Sequence, residues 1–154
     1  MDGLKTYATA ILCMDGAYTG GVRKNMKRRY GVEYVDIIPQ PGIVKILAES
    51  INLPRLELIK EMINISVGGH GSRAIAIAAH HNCLGNPIPK EKQLKQLPRA
   101  QKTVEKMIKD LGFDQLGIKT TLLWLNECHL PEEVHISPNG RIFSRELVFI
   151  EKPD

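Results

Sequence analysis

The chain has 154 residues, of which 43% are hydrophobic and 25% are charged, and its formal net charge is +4. This composition is typical of an ordinary soluble globular protein, and the length predicts a single domain over residues 1–154. No apolar run approaches the ~18 residues of a membrane span, and the N-terminus lacks the pattern of an export signal, so we expect a cytoplasmic protein that does not enter a membrane.

The cysteines and the charges narrow the class of protein further. Three cysteines are an odd number in a chain without an export signal, which argues against a disulfide framework and favours metal ligands or buried thiols. Five basic residues without an acid lie in the segment Arg23–Arg29. Such a run could contact nucleic acid, but it is more often a solvated helix face, so we expect no nucleic-acid partner.

Short apolar runs alternate with segments of helical period along the chain. The runs, at residues 7–12, 34–38, 74–79 and 120–125, predict strands that are covered on both faces. Helical periods are found at residues 20–30, behind Pro54, and ahead of Gly112, where a helix should stop. Parallel strands need crossover connections, so this alternation predicts an α/β fold with a parallel central β-sheet flanked by helices.

The C-terminal part has a different pattern. Residues 134–137 and 141–143 flank Asn139-Gly140, which predicts a hairpin, and residues 147–150 could add an edge strand. Residues 85–98, with three prolines and three lysines, are predicted to form a surface connection.

Candidate metal ligands follow two of the predicted strands. The first strand leads to Cys13 and Asp15, and the third leads to His80, His81 and Cys83. Functional residues of a parallel sheet gather at the carboxyl ends of the strands, and central strands can lie side by side. Two thiolates and one imidazole suit zinc, and three protein ligands leave the fourth position open. His81 would point away from His80 in extended backbone, so His80 is preferred.

Each half of this pattern also has a plainer interpretation. A cysteine in an apolar strand is often a small buried hydrophobe, and a histidine near a strand end is often a surface group. Both halves at strand ends of one predicted sheet make metal binding the better interpretation.

These residues resemble the signature of a known family. Cys13-x-Asp15 after the first strand and His80-x-x-Cys83-x-Gly85 after the third are similar to the motifs of β-class carbonic anhydrases and of their relatives that hydrolyse carbon disulfide or carbonyl sulfide. The resemblance covers about residues 5–126. It implies a three-layer fold and a Zn(2+) ion held by Cys13, His80 and Cys83. It also implies that Asp15 is the catalytic carboxylate, which either ligates zinc in a resting state or accepts a hydrogen bond from water on the metal.

The resemblance also implies the partners of the chain. The substrate would be a small molecule, carbon dioxide and bicarbonate or an analogue, and the chain would form a homodimer or a higher homo-oligomer with the active site along the subunit interface. Zinc in an open site lowers the pKa of bound water toward neutrality, which prepares it to attack the carbon of carbon dioxide.

Two departures from the family pattern bear on catalysis. Ala17 stands where the family has an arginine that holds the aspartate away from the metal, and Pro39-Gln40-Pro41-Gly42-Ile43 stands where it usually has Arg-Asn-Ala-Gly-Asn. Without a guanidinium fork, Asp15 could close the site, unless Arg23 or Arg73 replaces the missing group. Two functions therefore stay open: a zinc enzyme that hydrates carbon dioxide, and a catalytically silent zinc-binding relative with a structural or sensing role.

Other motifs are weaker candidates. The segment 68–72 is glycine-rich but precedes the third strand, the wrong end to serve the metal. Cys128 and His129 follow the fourth strand and are predicted to be loop residues near the site. The H-x-E and P-C-x-x-C motifs of zinc deaminases and the C-x-x-C of dithiol enzymes are absent from the sequence.

Overall fold

Six strands form one mixed sheet in the computed structural model, which describes residues 5–147. The strands are β1 (Tyr7–Leu12), β2 (Tyr34–Pro39), β3 (Ala74–His80), β4 (Lys119–Leu125), β5 (Pro131–Ile136) and β6 (Ile142–Glu146). Their order in the sheet is β2-β1-β3-β4-β5-β6. The first four are parallel, and β5 and β6 are antiparallel to their neighbours. The predicted parallel sheet and C-terminal hairpin are thereby confirmed.

Four α-helices connect and cover the strands. They are α1 (Gly16–Tyr30), α2 (Ile43–Glu49), α3 (Leu53–Ile63) and α4 (Lys90–Asp110). A π-helical turn (Asn64–Gly69) continues α3, and a 3₁₀ turn (Asp114–Leu116) precedes β4. None of the helices within residues 5–147 is long and apolar enough to cross a bilayer.

The central strands β1, β3 and β4 are buried on both faces, which explains their continuous apolar runs. Successive side chains point to opposite faces, so most alanines of β1 and β3 face α1, while the isoleucines and Ala79 face the other three helices. The face toward α1 contains Ala8, Ala10, Ala74, Ala76 and Ala78 with Val22 and Met26 of the helix. The face toward α2, α3 and α4 contains Ile11, Ile75, Ile77 and Trp124 with Leu47, Ile59 and Leu97. The structure therefore has three layers.

One sequence prediction was wrong in part, and another falls outside the described residues. The predicted surface connection 85–98 holds only as far as Pro89, because α4 begins at Lys90 and continues through Pro98. A proline inside a helix removes one backbone hydrogen bond, at a cost of about 3 kcal/mol. The helix still forms since its residues Leu94, Leu97 and Ala100 bury an apolar stripe on the sheet. The suggested edge strand lies mostly in residues 148–150, outside the described part.

Candidate metal centre

Two adjacent parallel strands bring the sequence-predicted ligands to the same edge of the sheet. Ile11 of β1 is in register with Ile77 of β3, and both strands run in the same direction. Cys13 is the first residue after β1, and His80 is the last residue of β3. The expectation that these two strands would be neighbours is confirmed.

A tight turn returns the chain to the cluster after β3. Asn82 has a φ of 52°, in the left-handed region that asparagine tolerates better than most residues. The N–H of Asn86 donates to the carbonyl of Cys83 at 3.2 Å and closes the following turn. Cys83 is thereby directed back toward Cys13.

Cys13, His80 and Cys83 form a compact buried cluster. The potential ligand atoms of the three side chains all lie within 4.8 Å of one another, and their residues are 8%, 2% and 4% exposed. The two Sγ atoms are 3.8 Å apart, and all three cysteines of the chain are free thiols. Zn–S bonds of about 2.3 Å at a tetrahedral angle place two sulfurs about 3.8 Å apart, whereas a disulfide needs about 2.05 Å. The sulfur spacing therefore fits a shared metal ion.

The two ring nitrogens of His80 differ in their hydrogen bonding. Nδ1 lies 2.8 Å from the carbonyl oxygen of His81, so Nδ1 carries the proton and donates it. Nε2 is buried and has no hydrogen-bond partner within the described chain. A buried imidazole nitrogen without a hydrogen-bond partner beside two thiols is the arrangement of a metal-binding histidine whose orientation is fixed by a backbone carbonyl.

The electrostatics of the two thiols favour a cation between them. Burial raises the pKa of the Cys83 thiol, and the neighbouring Cys13 raises it further, although the N–H groups of Gly85 and Asn86 act in the opposite direction. Two adjacent buried thiolates repel each other unless a positive charge lies beside both. A dication would supply that charge.

Asp15 lies outside this cluster. It is exposed and caps α1, where its Oδ1 accepts a hydrogen bond from the N–H of Ala17 at 3.1 Å. In the part of the chain that the structure describes, the cluster able to hold a metal contains three residues and does not include this carboxylate. Residue 17 is an arginine in the family pattern. In this chain it is Ala17, which contacts Asp15 through its backbone N–H.

The two arginines considered as replacements lie elsewhere. The guanidinium of Arg73 donates to the carbonyls of Val67 and Ser72, at the amino end of β3 and so at the opposite edge of the sheet. Arg23 is exposed on α1.

Tyr18 and Gln93 contact His80 of the cluster, and the sequence does not predict either contact. The Tyr18 ring packs on the His80 ring with centroids 4.2 Å apart. Burial raises the pKa of the Tyr18 phenol, and Asp15, Cys83 and Glu127 raise it further, so the phenol stays protonated. Gln93 of α4 donates to the carbonyl of His80 at 3.0 Å. Neither contact can be predicted from the spacing of residues along the chain, because each depends on how a helix packs on the sheet.

Two glycines allow the loops beside the cluster to touch. A Cβ on Gly85 would lie 2.5 Å from the backbone nitrogen of Gly42, so the loop after Cys83 and the loop after β2 meet backbone to backbone. Gly42 also has a φ of 58°, in the left-handed region. Gly42 belongs to the segment 39–43, and Gly85 is the glycine of the His-x-x-Cys-x-Gly motif.

A small cavity of about 10 Å³ adjoins the three ligand residues. This is close to the volume that one water molecule occupies. Its apolar wall includes Ile43 and Val44 of α2 and Ala79 of β3. Within one chain, the space beside the cluster is therefore narrow and suits a small species.

The weaker sequence candidates do not join the cluster. His81 contributes its backbone carbonyl rather than its ring. Cys128 is exposed, and His129 packs edge-on against Tyr18 with centroids 4.9 Å apart. The glycine-rich segment 68–72 lies at the amino end of β3, where His70 pairs with Asp36 at 2.7 Å. These residues therefore lie outside the cluster of Cys13, His80 and Cys83.

The fold and the cluster define an α/β protein with a buried Cys–His–Cys site that could hold a metal ion. The family model described as "Putative carbonic anhydrase" matches residues 4–135. The chain belongs to this family. No curated protein sequence matches the chain.

Three solved structures are similar to the chain. A β-carbonic anhydrase of the filamentous ascomycete Sordaria macrospora, described as tetrameric, is 14% identical, with 84% of this chain and 80% of the other covered and a TM-score of 0.45. The β-carbonic anhydrase CafA of Aspergillus fumigatus is 13% identical, with 88% and 78% covered and a TM-score of 0.45. A β-carbonic anhydrase of Trichomonas vaginalis is 15% identical, with 94% and 86% covered and a TM-score of 0.39.

Proposed function

We propose that Cys13, His80 and Cys83 hold one zinc ion and that the chain hydrates carbon dioxide reversibly, or hydrolyses a related small molecule such as carbonyl sulfide or carbon disulfide. The observation that carries the proposal is the buried cluster, with its sulfurs 3.8 Å apart and the Nε2 of His80 without a partner in the described chain. Membership of the carbonic anhydrase family supports the choice of reaction.

Each residue has a defined part in this proposal. A zinc ion held by the three side chains would supply Lewis-acid activation of water for addition to an electrophilic carbon. The carbonyl of His81 keeps the proton on Nδ1 of His80, so that Nε2 stays available as a ligand. Asp15, held at the start of α1 by the N–H of Ala17, would accept a hydrogen bond from the reacting water and so orient it.

Metal analysis tests the site. Purified wild-type protein should contain about one zinc per chain, and Cys83→Ser should lose it because a serine hydroxyl is a poor zinc ligand. Cys128→Ser is the matched control, since Cys128 is exposed and lies outside the cluster. A zinc-free wild-type protein, or equal zinc in both variants, would contradict the proposed ligands.

Stopped-flow hydration of carbon dioxide between about pH 7 and 9 tests the reaction. A zinc-dependent rate in the wild type that disappears in Cys83→Ser supports an enzyme. Equal background rates in zinc-loaded wild type and in Cys83→Ser would support the second candidate, a catalytically silent zinc-binding relative. The observation that favours this second candidate is Ala17 in place of the family's arginine.

The role of Asp15 needs a substitution that keeps the helix cap. Serine caps helices about as well as aspartate, so Asp15→Ser should retain stability while it removes the carboxylate. We expect the hydration rate to fall about 10²-fold in Asp15→Ser. An unchanged rate would restrict Asp15 to capping α1.

We also propose a homo-oligomer, a dimer or a higher assembly, in which a second copy covers the sheet edge that carries the cluster. Met14 and Leu84, each directly after a proposed ligand, are 63% and 94% exposed. Apolar side chains this exposed beside a functional site are typical of an interface. Light scattering should give at least twice the chain mass, and Leu84→Glu should lower it. A monomeric wild type would refute this assembly.

A cytoplasmic location completes the proposal. Cys13 and Cys83 must stay reduced to bind zinc, and reducing conditions prevail in the cytosol.

A further inference from the structure

We propose that Tyr18 is a positioning residue that fixes the orientation of His80 as a metal ligand. The inference rests on the proposed metal site and concerns how this chain holds its nitrogen ligand. Tyr18 lies in the first turn of α1, three residues after the capping Asp15, and is only 6% exposed. It contacts the carbonyl of His81 through its hydroxyl and the imidazole of His80 through its ring.

The hydroxyl contact passes through the carbonyl of His81. This oxygen accepts the Nδ1–H of His80 at 2.8 Å and the O–H of Tyr18 at 2.9 Å. A carbonyl oxygen has two lone pairs, so it can accept both. The hydrogen bond from Tyr18 directs the carbonyl, and the carbonyl sets the rotation of the imidazole that carries Nε2.

His81, whose carbonyl this is, is also anchored through its backbone N–H. The N–H of His81 donates to the carbonyl of Leu125 at the end of β4, at 2.9 Å. The backbone of His81 is therefore tied to β4 through its N–H and to α1 through its carbonyl. Without the Tyr18 hydroxyl, the carbonyl would lose the contact that joins it to α1.

The ring contact restricts His80 directly. The Tyr18 and His80 rings lie with centroids 4.2 Å apart at an interplanar angle of 34°. On the Tyr18 ring, His129 packs edge-on at 4.9 Å and 76°. Tyr18 is thus held between the loop after β4 and the histidine ligand, where it limits rotation of the imidazole about its own axis.

Tyr18→Phe tests the hydroxyl, with Tyr30→Phe as the matched control. Tyr30 lies on the same helix, and its hydroxyl also shares a hydrogen bond, with the Oγ1 of Thr121 in β4 at 2.6 Å, away from the cluster. Loss of a partner that orients a ligand histidine typically weakens metal binding 10- to 100-fold. We expect the zinc affinity, measured by competition with a chelating dye, to fall at least about tenfold in Tyr18→Phe and to stay unchanged in Tyr30→Phe.

Cobalt substitution gives a readout that packing alone would not change. The visible absorption bands of cobalt in a Cys–His–Cys site depend on ligand geometry, so they should shift in Tyr18→Phe and match the wild type in Tyr30→Phe. Tyr18→Leu removes the ring as well and should weaken zinc binding further. Circular dichroism shows whether each variant is folded.

A measurement on the wild type needs no variant. In the zinc-loaded protein, ¹⁵N NMR of the imidazole should show the proton on Nδ1 of His80 and the metal on Nε2. The opposite tautomer would overturn the proposal, and so would wild-type affinity and cobalt spectra in folded Tyr18→Phe. A wild-type protein that binds no zinc would instead refute the proposed metal site, and the positioning role with it, before any variant is compared.

Discussion

At the scale of single residues, two buried asparagines differ in whether their side-chain amides have a hydrogen-bond partner. Asn25 of α1 is 2% exposed, and neither amide atom has a hydrogen-bond partner within residues 5–147. Asn86 is equally buried, but its Nδ2 donates to Gln96 at 2.7 Å. An unsatisfied buried polar group costs about 1–3 kcal/mol. Asn25→Leu should therefore raise the free energy of unfolding by about 1 kcal/mol or more.

The matched substitution Asn86→Leu should lower the free energy of unfolding rather than raise it, because it leaves the Gln96 amide without its partner. We expect the free energy of unfolding of Asn86→Leu to fall by about 1–3 kcal/mol. Urea unfolding of both variants measures the two effects. A destabilised Asn25→Leu protein would mean that this amide has a partner that the structure of residues 5–147 does not include.

The contact between Gly42 and Gly85 gives a second residue-scale prediction. In Gly85→Ala, the added Cβ would lie 2.5 Å from the backbone nitrogen of Gly42. Since backbone cannot move away as easily as a side chain, we expect a loss of about 1–3 kcal/mol in the free energy of unfolding, together with weaker zinc binding. Gly69→Ala is the control, because its Cβ would meet nothing within 4 Å. Equal stability of the two variants would show that the two loops can separate freely.

The residues of the cluster and the residues that support it differ in how far the sequence predicts them. Cys13, His80 and Cys83 can be found because each follows a strand whose carboxyl end the α/β pattern places at one sheet edge. Tyr18 and Gln93 cannot, because their contacts depend on the rotation and height of α1 and α4 on the sheet. A tyrosine on the buried face of a helix is predicted only as core.

At the scale of elements, the sequence predicts the strands, but it does not predict the helix α2 or the start of α4. β1 and β3 are apolar runs buried on both faces, and short apolar runs that alternate with helical segments are typical of strands in a covered parallel sheet. The start of α4 was missed because its two flanking prolines and its lysines resemble a loop. The short helix α2 was missed because it follows Gly42 without a side-chain cap, so the sequence contains no start signal.

Glu132 of β5 connects three other elements and gives a pH-dependent prediction. Its carboxylate accepts hydrogen bonds from Asn126 after β4 at 2.9 Å and from Ser144 of β6 at 2.6 Å, and it pairs with Lys90 of α4 at 3.4 Å. Burial acts to raise the pKa of this carboxyl, but these three partners outweigh burial and lower it below the ordinary value of 4.5.

A carboxyl whose pKa is lower in the folded state stabilises the fold above its unfolded pKa, and this stabilisation is lost as the pH falls through the folded pKa. Glu132→Gln should therefore reduce the free energy of unfolding at pH 7 by about 1–2 kcal/mol. The difference from the wild type should shrink as the pH falls below 4.5. Glu133→Gln is the control, because Glu133 makes a surface ion pair with Arg29, worth about 0–1 kcal/mol. A Glu132→Gln effect that is independent of pH would contradict this account.

At the scale of the whole molecule, the two faces of the sheet pack against different helices. The alanine face lets α1 approach closely, which brings Asp15 and Tyr18 to the sheet edge where the cluster lies. The isoleucine face packs on α2, α3 and α4 and forms the larger core. The organisation into a single domain stays a prediction from chain length and composition. Helices on both faces of the sheet therefore contact His80, α1 through Tyr18 and α4 through Gln93.

The same architecture predicts that zinc stabilises the fold as a whole. Cys13 and Cys83 are 70 residues apart in sequence and meet only when β1 and β3 are paired. A metal that binds the folded chain and not the unfolded chain stabilises it by about 2.7 kcal/mol when its free concentration is 100 times the dissociation constant. Zinc should therefore raise the midpoint of thermal unfolding in the wild type and in Cys128→Ser, and a chelator should lower it. In Cys83→Ser the midpoint should no longer depend on zinc, because the two strands have lost one of the side chains that the ion would join. A zinc-dependent rise of equal size in Cys83→Ser would place the stabilising ion elsewhere in the molecule.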